Sequence, residues 1–338
     1  MSVRVGINGL GRIGRAFFRL AWNHEGAEIV SVNDLADTRT LAHLLRHDSL
    51  YRVWPTSVEA REDLLVLGDR AIPCSSSRSP AEIPWRDAGV QVVVEATGSF
   101  RGGRSAEGHL LSGAERVIVS APAPAADLTV VMGVNHQTYD PNRHRLLSNA
   151  SCTTNCMAPI LMLLDRRLGI ESSAMTTIHC YTNDQRLTDA PHCDLRRARA
   201  AGISMIPTST SASEAIPAVL PDLAGKISCL AVRVPTPNVS AVDFSITLRR
   251  ETTLEEVREL FRSASRGPLS GILGYSEEEL VSIDYLGDSR SAVVDGPLLA
   301  LPLPRLLRVF AWYDNESGYA HRLLDLVLYL TGRGSGSP

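Results

Sequence analysis

Val3-Arg4-Val5-Gly6-Ile7-Asn8-Gly9-Leu10-Gly11-Arg12-Ile13-Gly14 opens the chain with an apolar, β-prone run that breaks into a G-x-G-x-x-G turn and then a helical pattern. Alone the glycine spacing is weak; between a strand and a helix it predicts a dinucleotide-binding turn. Gly9 permits the tight turn, Gly11 lets a pyrophosphate approach the backbone, and Gly14 lets helix pack on strand, while N–H groups at the helix start face the anion. Residues 3–8 are read as the strand, Arg12 to about Asn23 as the helix, and Ile29–Val32 as a second strand ending at Asn33-Asp34. Asp34 lies twenty residues beyond Gly14, where a carboxylate accepts both ribose hydroxyls and repels a 2′-phosphate. NAD is therefore the expected cofactor. Leu35 offers no replacement donor, and Arg39 leaves NADP open as a minor substrate. The plainer alternative, a glycine turn with a capping Asp, explains less of the pattern.

Working outward, Val92–Glu95 and Arg116–Ser120 are short β-branched runs flanking a helix-like stretch near Ala106–Ser112, and they extend the α/β sheet. The pattern then changes. A helix from Thr153 to about Arg167 leads into longer strands at Ser173–Tyr181, Cys229–Val234 and Ala241–Leu248, which suggests a second, α+β domain with a mainly antiparallel sheet. The 338 residues fit two domains, each large enough for its own core. Gly318–Leu330 has helical spacing, and Gly332–Pro338 reads as a frayed tail.

With 44% hydrophobic residues, 21% charged and a net charge of −3, the composition points away from disorder, a membrane protein or a nucleic-acid binder. Any anionic substrate needs local positive charge, carried almost wholly by arginine because Lys226 is the only lysine. The N-terminus enters a strand without a signal core, and no run of about eighteen apolar residues occurs; a cytoplasmic protein is expected. Cysteines 74, 152, 156, 180, 193 and 229 are scattered and expected to be reduced. His43 with His47, and His179-Cys180 with His192-Cys193, are incomplete as zinc sets, so no metal is expected.

Ser148-Asn149-Ala150-Ser151-Cys152-Thr153-Thr154-Asn155-Cys156-Met157 sets one thiol among hydroxyls and small residues. A structural cysteine sits among aliphatics, whereas a nucleophile needs donors or a histidine near its thiolate. Cys152 fits the second description. A candidate base follows in Thr176-Thr177-Ile178-His179-Cys180-Tyr181-Thr182, an apolar run ending in His179 as a strand end opening on a site would. Cys156, one helical turn further on, is read as a packing thiol.

SNASCTTNC, GINGLGRIGR and the late WYDNE-GY segment together resemble the phosphorylating (type I) glyceraldehyde-3-phosphate dehydrogenases, over essentially the whole chain. The resemblance implies NAD-dependent conversion of D-glyceraldehyde 3-phosphate and inorganic phosphate to 1,3-bisphosphoglycerate, a glycolytic reaction, by a cytoplasmic homotetramer. It assigns Cys152 to attack on the aldehyde and thioester formation, and His179 to lowering the thiol pKa and taking the hydroxyl proton. For the cofactor it implies Gly9, Gly11, Arg12, Ile13, Gly14, Asp34, Thr97 and Ser120, with Asn315 holding the nicotinamide carboxamide and Tyr319 packing beside it. Thr182, Asp184, Arg197 and Arg233 would hold the C3 phosphate; Ser151, Thr153, Thr210 and Ser211 would hold inorganic phosphate, sharing Arg233. The implied domains are 1–150, a Rossmann-type domain completed by a C-terminal helix (316–332), and 151–315, the catalytic domain.

Departures from the family pattern bear on the acceptor step. Thr210-Ser211-Ala212-Ser213-Glu214 stands where Thr-Gly-Ala-Ala-Lys is usual, so a side chain replaces a glycine beside an anion. Cys180 stands for alanine and Ser317 for tryptophan. An altered aldehyde or acceptor (erythrose 4-phosphate, arsenate), or tolerance to cysteine-alkylating inhibitors, is the alternative reading. A non-catalytic binding module would have no need of Cys152, His179, Arg233 and Asn315 together.

Overall fold

The computed structural model describes residues 2–100, 102 and 104–332; the expected tail beyond Gly332 lies outside the described residues. The chain forms two compact units, one comprising residues up to Val130, His136–Ala150 and the chain from Ala320 onward, the other Val131–Asn135 and Ser151–Tyr319.

The first unit is built on a nine-stranded sheet. Its order is Leu128–Thr129, Leu146–Ser148, Arg116–Val119, Val92–Glu95, Val3–Asn8, Ala27–Asn33, Arg70–Ser75, Leu64–Leu67, Glu59–Arg61. The first seven run parallel and the last two turn back antiparallel. Val3–Asn8 and Val92–Glu95 are nearly continuous apolar runs because both sheet faces are covered: Val5, Ile7, Val92, Val93 and Val94 are fully buried. Helix Arg12–Trp22 turns Gly14, Phe17, Phe18 and Ala21 inward at helical spacing. A core of Ile83, Trp85, Val90, Val93, Val117 and Leu146 fills a further part of this unit. The expected helix near 106–112 is a 3₁₀ turn, Ser105–Glu107, running into a single α turn, Gly108–Leu111. The hairpin strands at 59–75 were not legible, since Glu59-Ala60-Arg61 is exposed and has no apolar alternation to betray it.

The second unit carries an eight-stranded, mainly antiparallel sheet ordered Ile206–Thr208, Ile227–Val234, Ile170–Cys180, Ser240–Leu248, Leu306–Tyr313, Ala292–Asp295, Leu273–Ser276, with Ala300–Leu303 also paired to Leu306–Tyr313. Two pairings are parallel, and one of them decides the site: Ile170–Cys180 against Ile227–Val234 sets His179 opposite Arg233. Helix Cys152–Leu168 packs with Cys156, Met157, Ile160, Leu161 and Leu164 fully buried. Its length and almost continuous apolar content follow from burial on nearly all sides.

Candidate active site

The glycine turn of the first unit has the geometry its residues demand. Gly9 has φ +93°, and a Cβ there would come within 2.9 Å of the Thr97 backbone N. At Gly14 a Cβ would lie 2.0 Å from the Gly9 carbonyl oxygen, whereas at Gly11 it would meet nothing within 4 Å. The first two glycines thus serve close packing and the turn, and Gly11 keeps the backbone open to a ligand. Gly11 also caps helix Arg12–Trp22 without a side-chain hydrogen bond, the arrangement in which helix N–H groups receive an anion. A cavity of about 440 Å³ is lined by Asn8, Gly9, Gly11, Asn33, Asp34 and Thr97, among others, within the range of small-ligand pockets. Asp34 accepts from Leu10 N at 2.7 Å and Ala36 N at 2.9 Å; each oxygen keeps a lone pair for a ribose hydroxyl. Arg12, Ile13 and Ser120 are not in this lining. The Arg12 guanidinium lies 2.6 Å from Asp48 and over the Tyr51 ring, and Ser120 donates its backbone N–H to Glu95 O.

In the second unit Cys152 is the first residue of its helix, capped by Ser151, whose Oγ accepts from Thr154 N at 3.1 Å. The chain reaches the helix through Ala150, buried and at φ +54°, a backbone state costly for a residue with a Cβ and found where the surroundings impose it. The thiol of half-buried Cys152 lies 3.6 Å from His179 Nε2. On the other side of the ring, Nδ1 is 2.8 Å from the Cys180 carbonyl oxygen, which can only accept. With the proton on Nδ1, Nε2 presents its lone pair to the thiol; the Arg233 guanidinium, which can only donate, favours the opposite tautomer. Arg233 Nη1 lies 2.7 Å from the same Nδ1 and donates to Cys180 O at 3.0 Å.

Burial and these contacts shift both groups. Burial, then the Arg233 cation, pushes the His179 pKa down to about 3. Burial raises the Cys152 thiol, against the pull of Arg233 and Thr153. Burial is the first cause of both shifts, and the Arg233 cation lowers the thiol and the imidazole alike.

One neighbour of this pair gave no warning in the sequence. Tyr313 Oη meets Thr153 Oγ1 at 2.9 Å and Thr177 Oγ1 at 3.0 Å, and its ring stands edge-on to His179 at 6.0 Å between centroids. Burial keeps its hydroxyl protonated. Only its place beside Asn315 in Trp312-Tyr313-Asp314-Asn315 could have pointed to it. Asn315 Oδ1 accepts from Ser240 Oγ at 3.1 Å and the Cys180 thiol at 3.2 Å; Cys180 is pushed up to about 12 by burial and remains a donor. Tyr319 is 4% exposed in the same unit.

The anion candidates fall into three groups. Arg197 is held by Asp184, by Thr208 Oγ1 at 2.8 Å and by Asp194 at 3.4 Å; burial raises the Asp184 carboxyl, but the Arg197 guanidinium holds it below its ordinary value. Thr182 gives N–H and hydroxyl to Gln185 Oε1 at 2.6 and 3.1 Å, and buried Gln185 is a member of this group that sequence reasoning missed. Arg233 belongs to the Cys–His pair. Thr210 and Ser211 begin helix Ala212–Val219: Thr210 Oγ1 accepts from Ala212 N at 3.2 Å, and Ser211 caps it at φ −73°, ψ −1° with no side-chain cap bond. Ser211 occupies ordinary right-handed backbone, so no conformation reserved for glycine is needed there. Glu214 is exposed in the first turn, where a carboxylate suits the helix dipole. Thr153 turns its hydroxyl to Tyr313.

All six cysteines are unpaired. Among the described residues no three His, Cys, Asp or Glu side chains gather as metal ligands, and no helix is long and apolar enough to cross a membrane.

A glycine turn opening a helix beside an acidic side chain, and a thiol 3.6 Å from a buried imidazole, are the features required of an oxidoreductase that pairs NAD with a cysteine nucleophile. Residues 3–103 match the family model described as glyceraldehyde 3-phosphate dehydrogenase, NAD binding domain, and residues 151–315 match the C-terminal domain of the same family. The chain is 51% identical over 331 residues to glyceraldehyde-3-phosphate dehydrogenase 1 of Bacillus cereus, covering 98% of this chain and 99% of that protein. It is 49% identical over 334 residues to the glyceraldehyde-3-phosphate dehydrogenase of Geobacillus stearothermophilus (99% and 100% covered). It is also 49% identical over 328 residues to glyceraldehyde-3-phosphate dehydrogenase 2 of Streptomyces arenae (97% and 98%). The chain belongs to the glyceraldehyde 3-phosphate dehydrogenase family, and its cofactor is NAD.

Proposed function

We propose that this chain oxidises and phosphorylates D-glyceraldehyde 3-phosphate to 1,3-bisphosphoglycerate through a thioester on Cys152. The observation that carries the reading is the 3.6 Å approach of Cys152 Sγ to a His179 Nε2 whose opposite nitrogen is tied to a carbonyl. His179 Nε2 takes the thiol proton as sulfur adds to the aldehyde carbon, and the imidazolium so formed donates to the new oxyanion. It then accepts the hydroxyl proton as the thiohemiacetal becomes a thioester. NAD, when bound, supplies the hydride acceptor. Inorganic phosphate attacks the thioester carbon, and the thiolate leaves. Arg233, hydrogen-bonded at the pair, is placed to hold substrate phosphate, because its planar fork binds phosphate bidentately. Thr182, Asp184 and Arg197 complete the C3-phosphate site, while Ser151, Thr153, Thr210 and Ser211 form the site of the attacking phosphate. Gly9, Gly11, Arg12, Ile13, Gly14, Asp34, Thr97 and Ser120 bind the cofactor, with Asn315 and Tyr319 at the nicotinamide.

Residues 1–150, completed by the C-terminal helix (316–332), serve as the cofactor domain, and 151–315 as the catalytic domain. A homotetramer in the cytoplasm is the assembly and location we assign. Exposed Leu187, Leu195, Ile203 and Met205, clustered in one stretch of chain, supply apolar surface for subunit contact. The test is NADH formation from glyceraldehyde 3-phosphate and NAD with and without inorganic phosphate. Phosphate-dependent turnover is expected; a single burst without turnover would transfer the acceptor role to another nucleophile.

A further inference from the structure

One fully buried acid–base pair is not used by the chemistry above. Glu95, 1% exposed, ends the strand Val92–Glu95 beside the cavity, and His109, fully buried, lies behind it. Trp85 Nε1 donates to His109 Nδ1 at 2.9 Å. An indole N–H can only donate, so Nδ1 is an acceptor and the imidazole proton is on Nε2. That N–H points at Glu95 Oε2, 3.1 Å away. The same oxygen accepts from Asn8 Nδ2 at 2.5 Å, and Oε1 accepts from Thr97 N at 2.8 Å and Thr97 Oγ1 at 2.5 Å. Four donors face the two oxygens of the Glu95 carboxyl group.

The network continues outward under the cavity. Asn8 Oδ1 accepts from Asn33 Nδ2 at 2.8 Å, and Asn33 Oδ1 accepts from Ser77 N and Ser75 Oγ, each at 2.8 Å. Asn8, Asn33, Ser77 and Thr97 all line the cavity. A buried carboxyl group is costly unless fully paired, and here the pairing reaches Asn8 and Thr97 directly and Asn33 through Asn8, all of which line the cavity.

We infer that the Glu95–His109 pair is the positioning element of the cofactor pocket, fixing Thr97, Asn8 and Asn33 in their ligand-receiving orientations through one carboxylate. The inference rests on the cofactor reading of this cavity. His109 touches no ligand. Its function is to hold the Glu95 carboxyl group aimed, with Trp85 locking the tautomer that allows it.

The test is NAD binding by calorimetry on the full chain, alongside steady-state kinetics. His109→Leu leaves Glu95 one donor short and raises the NAD dissociation constant about tenfold, the size of one lost hydrogen bond. kcat at saturating NAD, KM for the aldehyde and the alkylation rate of Cys152 without NAD stay near wild type. His109→Gln, whose amide N–H reaches the Nε2 position, restores affinity. Unchanged NAD affinity in His109→Leu would overturn the inference, as would equal losses in the Leu and Gln variants. Gly9→Ala separates the two readings: it weakens NAD binding if the cavity is the cofactor site, whatever His109 does. Should His109→Leu not fold, Trp85→Phe reads the same link by unlocking the tautomer. A rise in the NAD dissociation constant with kcat retained supports the inference, and no rise overturns it.

Discussion

At the scale of single residues, Cys152 Sγ and His179 Nε2 lie 3.6 Å apart. Cys152→Ser is expected to abolish NADH formation while the melting temperature stays within a few degrees, because an oxygen replaces sulfur without opening a cavity; turnover in that variant would remove the nucleophile assignment. The sign of the pH effect follows from His179. An unfolded imidazole titrates near 6.5, whereas burial and Arg233 hold the folded one down to about 3. Below the ordinary value the unfolded chain binds a proton that the folded chain refuses, so this residue lowers stability as pH falls from about 6.5 towards 3, at up to about 1.4 kcal/mol per pH unit. Denaturation profiles of wild type and His179→Asn should differ in slope over that window and run parallel above pH 7. Arg233→Ala should raise KM for aldehyde phosphate and inorganic phosphate alike, and an effect on one alone would break the shared site. Cys152 and His179 were legible as residue types in suggestive company, and Arg233 only through the family resemblance. The contacts of His179 Nδ1 were not legible, because the Cys180 carbonyl and the Arg233 guanidinium reach it through backbone geometry and strand register.

At the scale of elements, the turn at Gly9–Gly14 and the cap at Ser151 are local devices, and their sequence signals were accordingly clear. Gly14→Ala should abolish NAD binding or folding, since its Cβ would lie 2.0 Å from the Gly9 carbonyl oxygen. Ser211 makes the opposite case. At φ −73° it uses no conformation reserved for glycine, so Ser211→Gly should change KM for inorganic phosphate less than about twofold and cost about 0.5–1 kcal/mol in backbone entropy at most. A large fall in that KM on restoring glycine would show that the side chain obstructs the anion. Strand ends were less legible than strand existence: Ser173–Tyr181 became Ile170–Cys180, because pairing with Ser240–Leu248 and Ile227–Val234 extends the strand past its β-branched run.

At the scale of the whole molecule, the exposed Leu187, Leu195, Ile203 and Met205 belong to an assembly proposal that hydrodynamics can decide. Sedimentation should report four copies of the 36.6 kDa chain, and Leu195→Asp should shift the distribution to smaller species; a wild-type monomer would sink the tetramer. By itself the sequence determined what backbone sterics and side-chain chemistry settle locally: the glycine turn, the acidic residue at the end of the second strand, the thiol at a helix start, and the change from short to long strands. Tertiary structure alone decided which distant groups meet. Arg233 reaches His179 because two strands pair in parallel with those residues opposite. Tyr313 joins Thr153 to Thr177 across separate elements, and Trp85, His109 and Glu95 converge beneath the cofactor cavity. Such meetings depend on non-local register and burial, which carry no periodic signature along the chain.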